Sequence, residues 1–433
     1  MKTNDRWLIL SHAFNMDGRA ASQTITDKIP FLLESDINPI IVSACTGKKD
    51  SQLIHYQVLP LGGAGLKFDL RHYLRGQLGK GILYKISITL LSLALAPLII
   101  FEKIIFGLQS QASWAVTAYI TSLYLIHKYK INLIYSTGGA YSAHLAGLWL
   151  KKTTGLNWIT EIHDPLVKPE QPLKSRDDKF QHKLEKAICT NSDLIWWFTD
   201  GALISAKNRN PQLKNKGHCI IPGSTPPMVH QEYVKSDKIT YAHFGSLSKT
   251  RSLDTFLKSL AIYLNQYPDK KNIIEVHVYG SNLDSSSNEI VKHEQLKGNI
   301  HLHGRLEYDP IRKLSGREQV LLRMQAADFL LLAHGQIPDC AEYIPSKVYE
   351  YFWAKRPIFG MTHKNSQLDS LILERNGYIA ETTDIQKIIN NIERSVNDWE
   401  TNNITTTTCL KPIGVDTATH IIIEKAKGLT NEN

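Results

Sequence analysis

Short apolar runs ending in Gly, Ser or Asp alternate along this chain with longer segments of helical period, and the alternation occurs twice. That rhythm predicts βαβ units and a mostly parallel sheet in each half, because a strand covered by helices on both faces has no polar side. The expected strands of the first half are 7–11, 39–43, 54–59, 131–136, 157–162, 194–199 and 219–221. Those of the second half are 239–244, 273–279, 300–303, 329–333 and 357–360. A single core stops growing at about 250 to 300 residues, so a chain of 433 residues is expected to divide in two. The stretch from Pro222 to Pro227 (PGSTPP) is rich in helix breakers and is the expected linker. The resulting division is 1–224, 225–405 and a C-terminal helix or tail, 406–433, that would pack on the first domain.

Composition narrows the class. Apolar residues make up 42% and charged residues 21%, which excludes a disordered chain and confines disorder to stretches such as Ser285 to Ser287 and the Asn-rich tail. A net charge of +9 favours phosphate and anionic surfaces as partners. Nucleic acid is not expected, since no zinc-type spacing, basic helix or aromatic-basic signature is present. The five cysteines, Cys45, Cys189, Cys219, Cys340 and Cys409, are scattered and never form a C-x-x-C pair, as suits a reducing compartment. The polar start, Met1 to Arg6, runs directly into an apolar strand, so a cytoplasmic location is expected.

One region departs from a plain alternation. Residues 86–101 (ISITLLSLALAPLIIF) form a sixteen-residue run without charge, and a second uncharged run covers 104–126. Arg71, Arg75, Lys80, Lys85, Lys103, Lys128 and Lys130 flank them. The apolar helical insert, about 84–126, reads in two ways. It is a pair of buried helices over the first sheet, or an interfacial hairpin with its apolar side in lipid and its cations at anionic headgroups. A single crossing would place the two halves on opposite sides of a bilayer.

The most informative stretch is AEYIPSKVYEYFWAKRPI, from Ala341 to Ile358. Glu342 and Glu350 lie eight apart, the first in a loop and the second one turn into a helix that Pro345 would open. A carboxylate accepts two hydroxyl donors at once, which suits the vicinal diols of a ribose or hexose. Backbone amides opening that helix suit a diphosphate.

This stretch resembles the E-x7-E motif of retaining GT-B glycosyltransferases, and its continuation resembles glycosyltransferase family 4. The resemblance implies an α/β chain of two Rossmann-like domains facing across a cleft, with a nucleotide sugar bound mainly by the second. It implies that Glu342 holds hydroxyls of the donor sugar near the reacting carbon, that Glu350 holds the ribose, and that Pro345, Ser346 and Lys347 frame the diphosphate. In the segment YAHFGSLSKTRSL, Gly245 would let phosphate approach the backbone. Where the family has Arg directly after this glycine and Lys further on, this chain has Ser246 and then Arg251, with Lys249 as a substitute. Gly304 and Arg305 resemble the turn that holds the nucleotide base. His163 and Asp164, which follow a strand in EIHDP, stand where the family places a group reaching the donor sugar. Asp17 and Gly18 match the family's N-terminal loop with one glycine fewer, and Gly138 and Gly139 open a turn on the acceptor side.

No Asp-x-Asp motif is present, so neither metal nor cofactor is expected, and protein cations would stabilise the departing diphosphate. The implied reaction is retaining hexosyl transfer to a lipid-linked or other glycan acceptor. It would occur in bacterial surface polysaccharide synthesis, peripherally on the cytoplasmic face of the inner membrane. A sugar-nucleotide 2-epimerase and a non-catalytic carbohydrate-binding scaffold share the architecture.

Overall fold

The computed structural model describes residues 5–16, 20–79, 81–169, 172–280, 282–404 and 412–431. The chain forms two compact units, one of residues 1–222 and 415–433, the other of 223–414.

The first unit is built on a seven-stranded parallel sheet of β1 (Asp5–Leu10), β2 (Ile37–Ser43), β3 (Ile54–Gln57), β4 (Leu133–Gly138), β5 (Asn157–Ile162), β6 (Leu194–Trp197) and β7 (Gly217–Cys219), in the order β3-β2-β1-β4-β5-β6-β7. The twofold alternation of side chains along each strand fills two cores. Leu8 and Leu10 enter one with Trp114, Ala118 and Trp158, while Trp7 and Ile9 enter the other with Tyr135 and Trp196. Helix Val415–Asn431 closes the second core through Ala418, Ile422, Ile423 and Ala426.

The second unit holds a six-stranded parallel sheet of β8 (Ile239–Gly245), β9 (Ile274–Gly280), β10 (Ile300–Gly304), β11 (Phe329–Ala333), β12 (Ile358–Thr362) and β13 (Tyr378–Glu381), ordered β10-β9-β8-β11-β12-β13. Its main core joins Tyr241, Val276, Phe329 and Phe359 to Phe256 and Leu260 of helix Asp254–Gln266 and Ile388 and Ile392 of helix Ile385–Glu400. The expected disorder at Ser285 to Ser287 is not found: these residues open helix Ser285–Ile290, because the Asp284 carboxylate accepts the backbone N–H groups of Ser286 and Ser287. Among the described residues none of the cysteines Cys45, Cys189, Cys219 and Cys340 forms a disulfide.

The two apolar runs part company. Helix Trp114–Tyr129 buries Trp114, Ala115, Ala118, Ser122 and Leu125 as a stripe in the first core. Helix Ile82–Ile105 buries none of its residues. A buried pair of helices is therefore not what forms, because only the second run has a stripe of small residues and Trp114 that fits against the sheet. Helix Ile82–Ile105 instead returns antiparallel to helix Gly63–Leu78. The Ala64 N–H donates to Glu102 Oε2 (2.9 Å) and the Gly62 N–H to Ser113 Oγ (3.0 Å), fastening the base of this hairpin. Ile82, Leu83, Leu90, Leu93, Ile104 and Ile105 remain exposed.

Candidate active site

Ligands of open parallel sheets bind outside the carboxyl ends of the strands, where the strand order reverses. In the second unit that point lies between β8 and β11. β8 runs into Gly245, whose φ of +131° a side chain would resist. Beyond it, Ser248 and Arg251 exchange both backbone hydrogen bonds at 2.9 Å, making a tight turn. The Gln336 N–H donates to the Thr250 carbonyl at 3.1 Å. A Cβ on Gly335 would sit 2.9 Å from that carbonyl oxygen, so glycine permits the segments leaving β8 and β11 to touch.

β11 exits through His334 into a 3-10 turn, Pro338–Glu342. Two side chains pin this turn. Asn365 Nδ2 donates to the carbonyls of Cys340 and Tyr343, both at 2.9 Å. His334 Nε2 donates to the Tyr343 carbonyl (2.9 Å) while its Nδ1 accepts the His363 N–H (3.3 Å). A carbonyl only accepts and an amide N–H only donates, so this imidazole is neutral. Burial pushes its pKa down to about 4, with Arg251 adding to the effect. Glu342 is buried at the end of the pinned turn, and the Arg251 guanidinium lies 5.9 Å from the ring centre of the next residue, Tyr343.

Glu350 stands in the first turn of helix Lys347–Ala354. Its carboxylate meets Lys347 Nζ at 2.5 Å and an Arg317 nitrogen at 3.6 Å. His243, buried on β8, is driven down to about 4 by desolvation, and Arg251 and Lys347 push in the same direction. The Phe244 N–H donates to the Tyr351 hydroxyl at 3.3 Å, which seats helix Lys347–Ala354 against the carboxyl end of β8. The structure thus sets Arg251 beside Tyr343, the residue after Glu342, and Lys347 and Arg317 beside Glu350, Arg317 being a residue the sequence did not single out. Two acceptor carboxylates, several cations and the open amides of a helix N-terminus can hold hydroxyls and phosphate at once.

Other expected residues lie apart from this group. Ser246 and Lys249 are exposed on the turn. Gly304, at φ +66°, and the exposed Arg305 follow the edge strand β10, separated from β11 by β9 and β8. Glu275, His277 and His301 form a separate set of potential metal ligands on β9 and β10.

In the first unit the order reverses between β1 and β4. Gly138 ends β4, with its carbonyl accepting from His144 Nε2 at 3.2 Å. A Cβ on Gly139 would meet Asp164 Oδ2 at 2.4 Å, so that glycine lets the exposed Asp164 carboxylate close onto the turn. His163 is turned inward: its Nε2 lies 2.7 Å from Glu161 Oε1 and 3.0 Å from Thr137 Oγ1, and its ring packs on Phe198. With a carboxylate on Nε2, that nitrogen carries a proton. Asp17 and Gly18 lie outside the described residues.

Two groups in this unit had no role in the sequence reading. Glu161 is fully buried and accepts from Lys28 Nζ (2.8 and 3.0 Å), the Tyr135 hydroxyl (2.5 Å), Thr137 (2.9 Å) and Trp196 Nε1 (2.9 Å). Burial alone would raise its pKa, but Lys28 and His163 outweigh it and hold the carboxyl well below the usual range. His12, just past β1, meets Asp69 at 3.2 Å with both side chains buried. Its signal was a strand-end position at the switch point; that of Glu161 was a charge inside an apolar strand.

Each unit is an open parallel sheet between helices, and the pair defines the two-domain Rossmann-like GT-B fold. Solved structures of that fold include sucrose-phosphate synthase from Thermosynechococcus elongatus, at a TM-score of 0.64 over 100% of both chains with 12% identity. TarM matches at 0.60 over 99% of both chains with 12% identity. A trehalose-6-phosphate structure from E. coli bound with UDP-2-fluoro glucose matches at 0.58 over 97% of this chain and 98% of that one, with 11% identity. At these identities the likeness defines the fold. No family model and no curated protein matches the chain.

Proposed function

We propose that the protein is a glycosyltransferase that moves a hexose, with retention, from a nucleotide sugar to a glycan acceptor held at a membrane. The observation that carries this reading is that the segments following the β8/β11 switch point hold cations beside carboxylates: Arg251 at Tyr343, next to Glu342, and Lys347 and Arg317 at Glu350. Glu342 takes hydroxyls of the donor sugar. Glu350 takes the ribose diol, which would displace the Lys347 ammonium toward the diphosphate. As the bond from the anomeric carbon to the diphosphate oxygen breaks, its electron pair goes to the diphosphate. Arg251 and the amides of Ser346 and Lys347 stabilise that charge, so the positive charge comes from the protein itself. The acceptor hydroxyl bonds to the same carbon, and its proton passes to the departing oxygen. Within the first unit, Gly138, Gly139 and Asp164 are the groups we assign to the acceptor, with His163 oriented by Glu161. The UDP-2-fluoro glucose in the E. coli neighbour supports a nucleotide-sugar donor.

The hairpin supports a membrane-held acceptor. Sinking three or four of the exposed Leu and Ile side chains of helix Ile82–Ile105 into lipid is worth about 5 to 10 kcal/mol. Its partner helix carries Lys67, Asp69, Arg71, His72 and Arg75, too much charge for hydrocarbon. The hairpin therefore suits the interface, with cations at anionic headgroups at about 1 kcal/mol each. Incubating the protein with nucleotide sugars and polyprenyl-diphosphate-linked glycans should yield an extended glycan. Epimerised nucleotide sugar formed without acceptor would replace this reading with a 2-epimerase.

A further inference from the structure

β9 and β10 form the outer pair of the second sheet, and among the described residues β10 has no strand on its far side. His301 of β10 pairs in register with His277 of β9, so their imidazoles share a face. Glu275, two residues before His277, shares it as well. His277 Nε2 lies 3.2 Å from Glu275 Oε2, and His301 Nε2 lies 3.6 Å from Glu275 Oε1. The three ligand atoms all fall within 4.8 Å of one another. Around a tetrahedral ion with bonds of about 2.0 to 2.1 Å, ligand atoms stand about 3.3 Å apart, and each imidazole already stands near that distance from one of the two Glu275 oxygens.

We infer that Glu275, His277 and His301 bind a divalent first-row transition-metal ion such as zinc or cobalt, with His303 orienting His277. Two imidazoles and a carboxylate are borderline nitrogen and oxygen ligands, which suit these ions better than magnesium or calcium. Three protein ligands leave a fourth position for water.

Three further observations support the site. His301 Nε2 is shielded from solvent and has no hydrogen-bond partner, and an ion between it and Glu275 would satisfy it. His277 Nδ1 lies 2.9 Å from His303 Nε2, the outer hydrogen bond that fixes the ring of a metal-bound histidine. Burial lowers the pKa values of His277 and His303, against the raising effect of Glu275 on His277, and the neighbouring imidazoles and Arg323 act in the same direction as burial. The opposing group is Lys238, whose ammonium sits 2.5 Å from Glu275 Oε1. Its side chain is half exposed and free to swing into water, so Lys238 competes with the ion instead of blocking it.

An ion here would staple the edge strand β10 to β9. From it a stack of rings, His277, His303, Tyr279 and Phe244, leads to the strand ends at Gly245 and Gly304.

The test is titration of chelator-stripped, tag-free, full-length protein with CoCl2, read by visible absorption, and with ZnCl2 by calorimetry, in phosphate-free buffer. One equivalent should bind, giving the visible band of a four-coordinate cobalt ion that zinc displaces. His301→Gln and His277→Gln should each weaken binding by about tenfold or more, and Lys238→Met should strengthen it. His293→Gln, outside the group, should change nothing. The melting temperature of metal-free His301→Gln should equal that of the parent, separating lost ligation from lost fold. No binding at millimolar metal, or binding that neither His301→Gln nor His277→Gln weakens, would overturn the site.

Discussion

Glu161 and the pair Glu342 and Glu350 are buried carboxylates of opposite character. Glu161 is enclosed in the first unit, with five side chains spending their donors on it. Glu342 and Glu350 lie at the carboxyl edge of the second sheet, beside Arg251, Lys347 and Arg317. A carboxylate saturated by its own fold contributes stability and orients a neighbour, here His163. Carboxylates at an edge, matched to mobile cations, can exchange those partners for a ligand. The contrast predicts that the first kind fails by unfolding and the second by losing chemistry.

The largest effect is expected at Glu161. Glu161→Gln strands the buried Lys28 ammonium and should cost about 3 to 5 kcal/mol of stability, measured by denaturant unfolding. Because the folded carboxyl titrates far below the unfolded value of about 4.3, its stabilisation is complete above that pH. It is lost progressively as pH falls below it. The parent should therefore lose stability on acidification more steeply than Glu161→Gln. Glu342→Gln should do the reverse: turnover falls by about 10² to 10³-fold while circular dichroism and melting hold. If it melts early instead, the distinction between the two carboxylates collapses.

Arg251→Ala should lower kcat/KM by about ten- to a hundredfold, with the loss growing as the donor's phosphate charge grows. Leu90→Asp with Leu93→Asp should reduce co-sedimentation with anionic liposomes several-fold and leave nucleotide binding intact. Lys249→Ala, on an exposed turn, should change turnover by less than about threefold.

Much of this contrast was legible in the chain. β5 and β11 fall where their apolar runs predicted, and Glu342 stands in a short turn and Glu350 in the first turn of the following helix, as their spacing around Pro345 implied. The partnership of Lys28 and Glu161 spans 133 residues, and nothing local announces it. β13 (YIAE) went unread because four residues with Ala and Glu make no apolar run. The insert was ambiguous because both of its runs are uncharged. Packing separates them: Trp114, Ala118, Ser122 and Leu125 form a single stripe that fits a sheet, whereas the run 86–101 is uncharged on every side, and its helix is fastened at its base by Glu102 and at its C-terminal end by Arg176, which donates to the carbonyls of Ile104 and Ile105.

Hydrogen–deuterium exchange with and without nucleotide sugars addresses the central claim most directly. The account predicts that a nucleotide sugar slows exchange in 245–251 and 338–350, and that Glu342→Gln with Glu350→Gln abolishes the protection. Protection confined to other segments, or no binding by any nucleotide sugar, would contradict it.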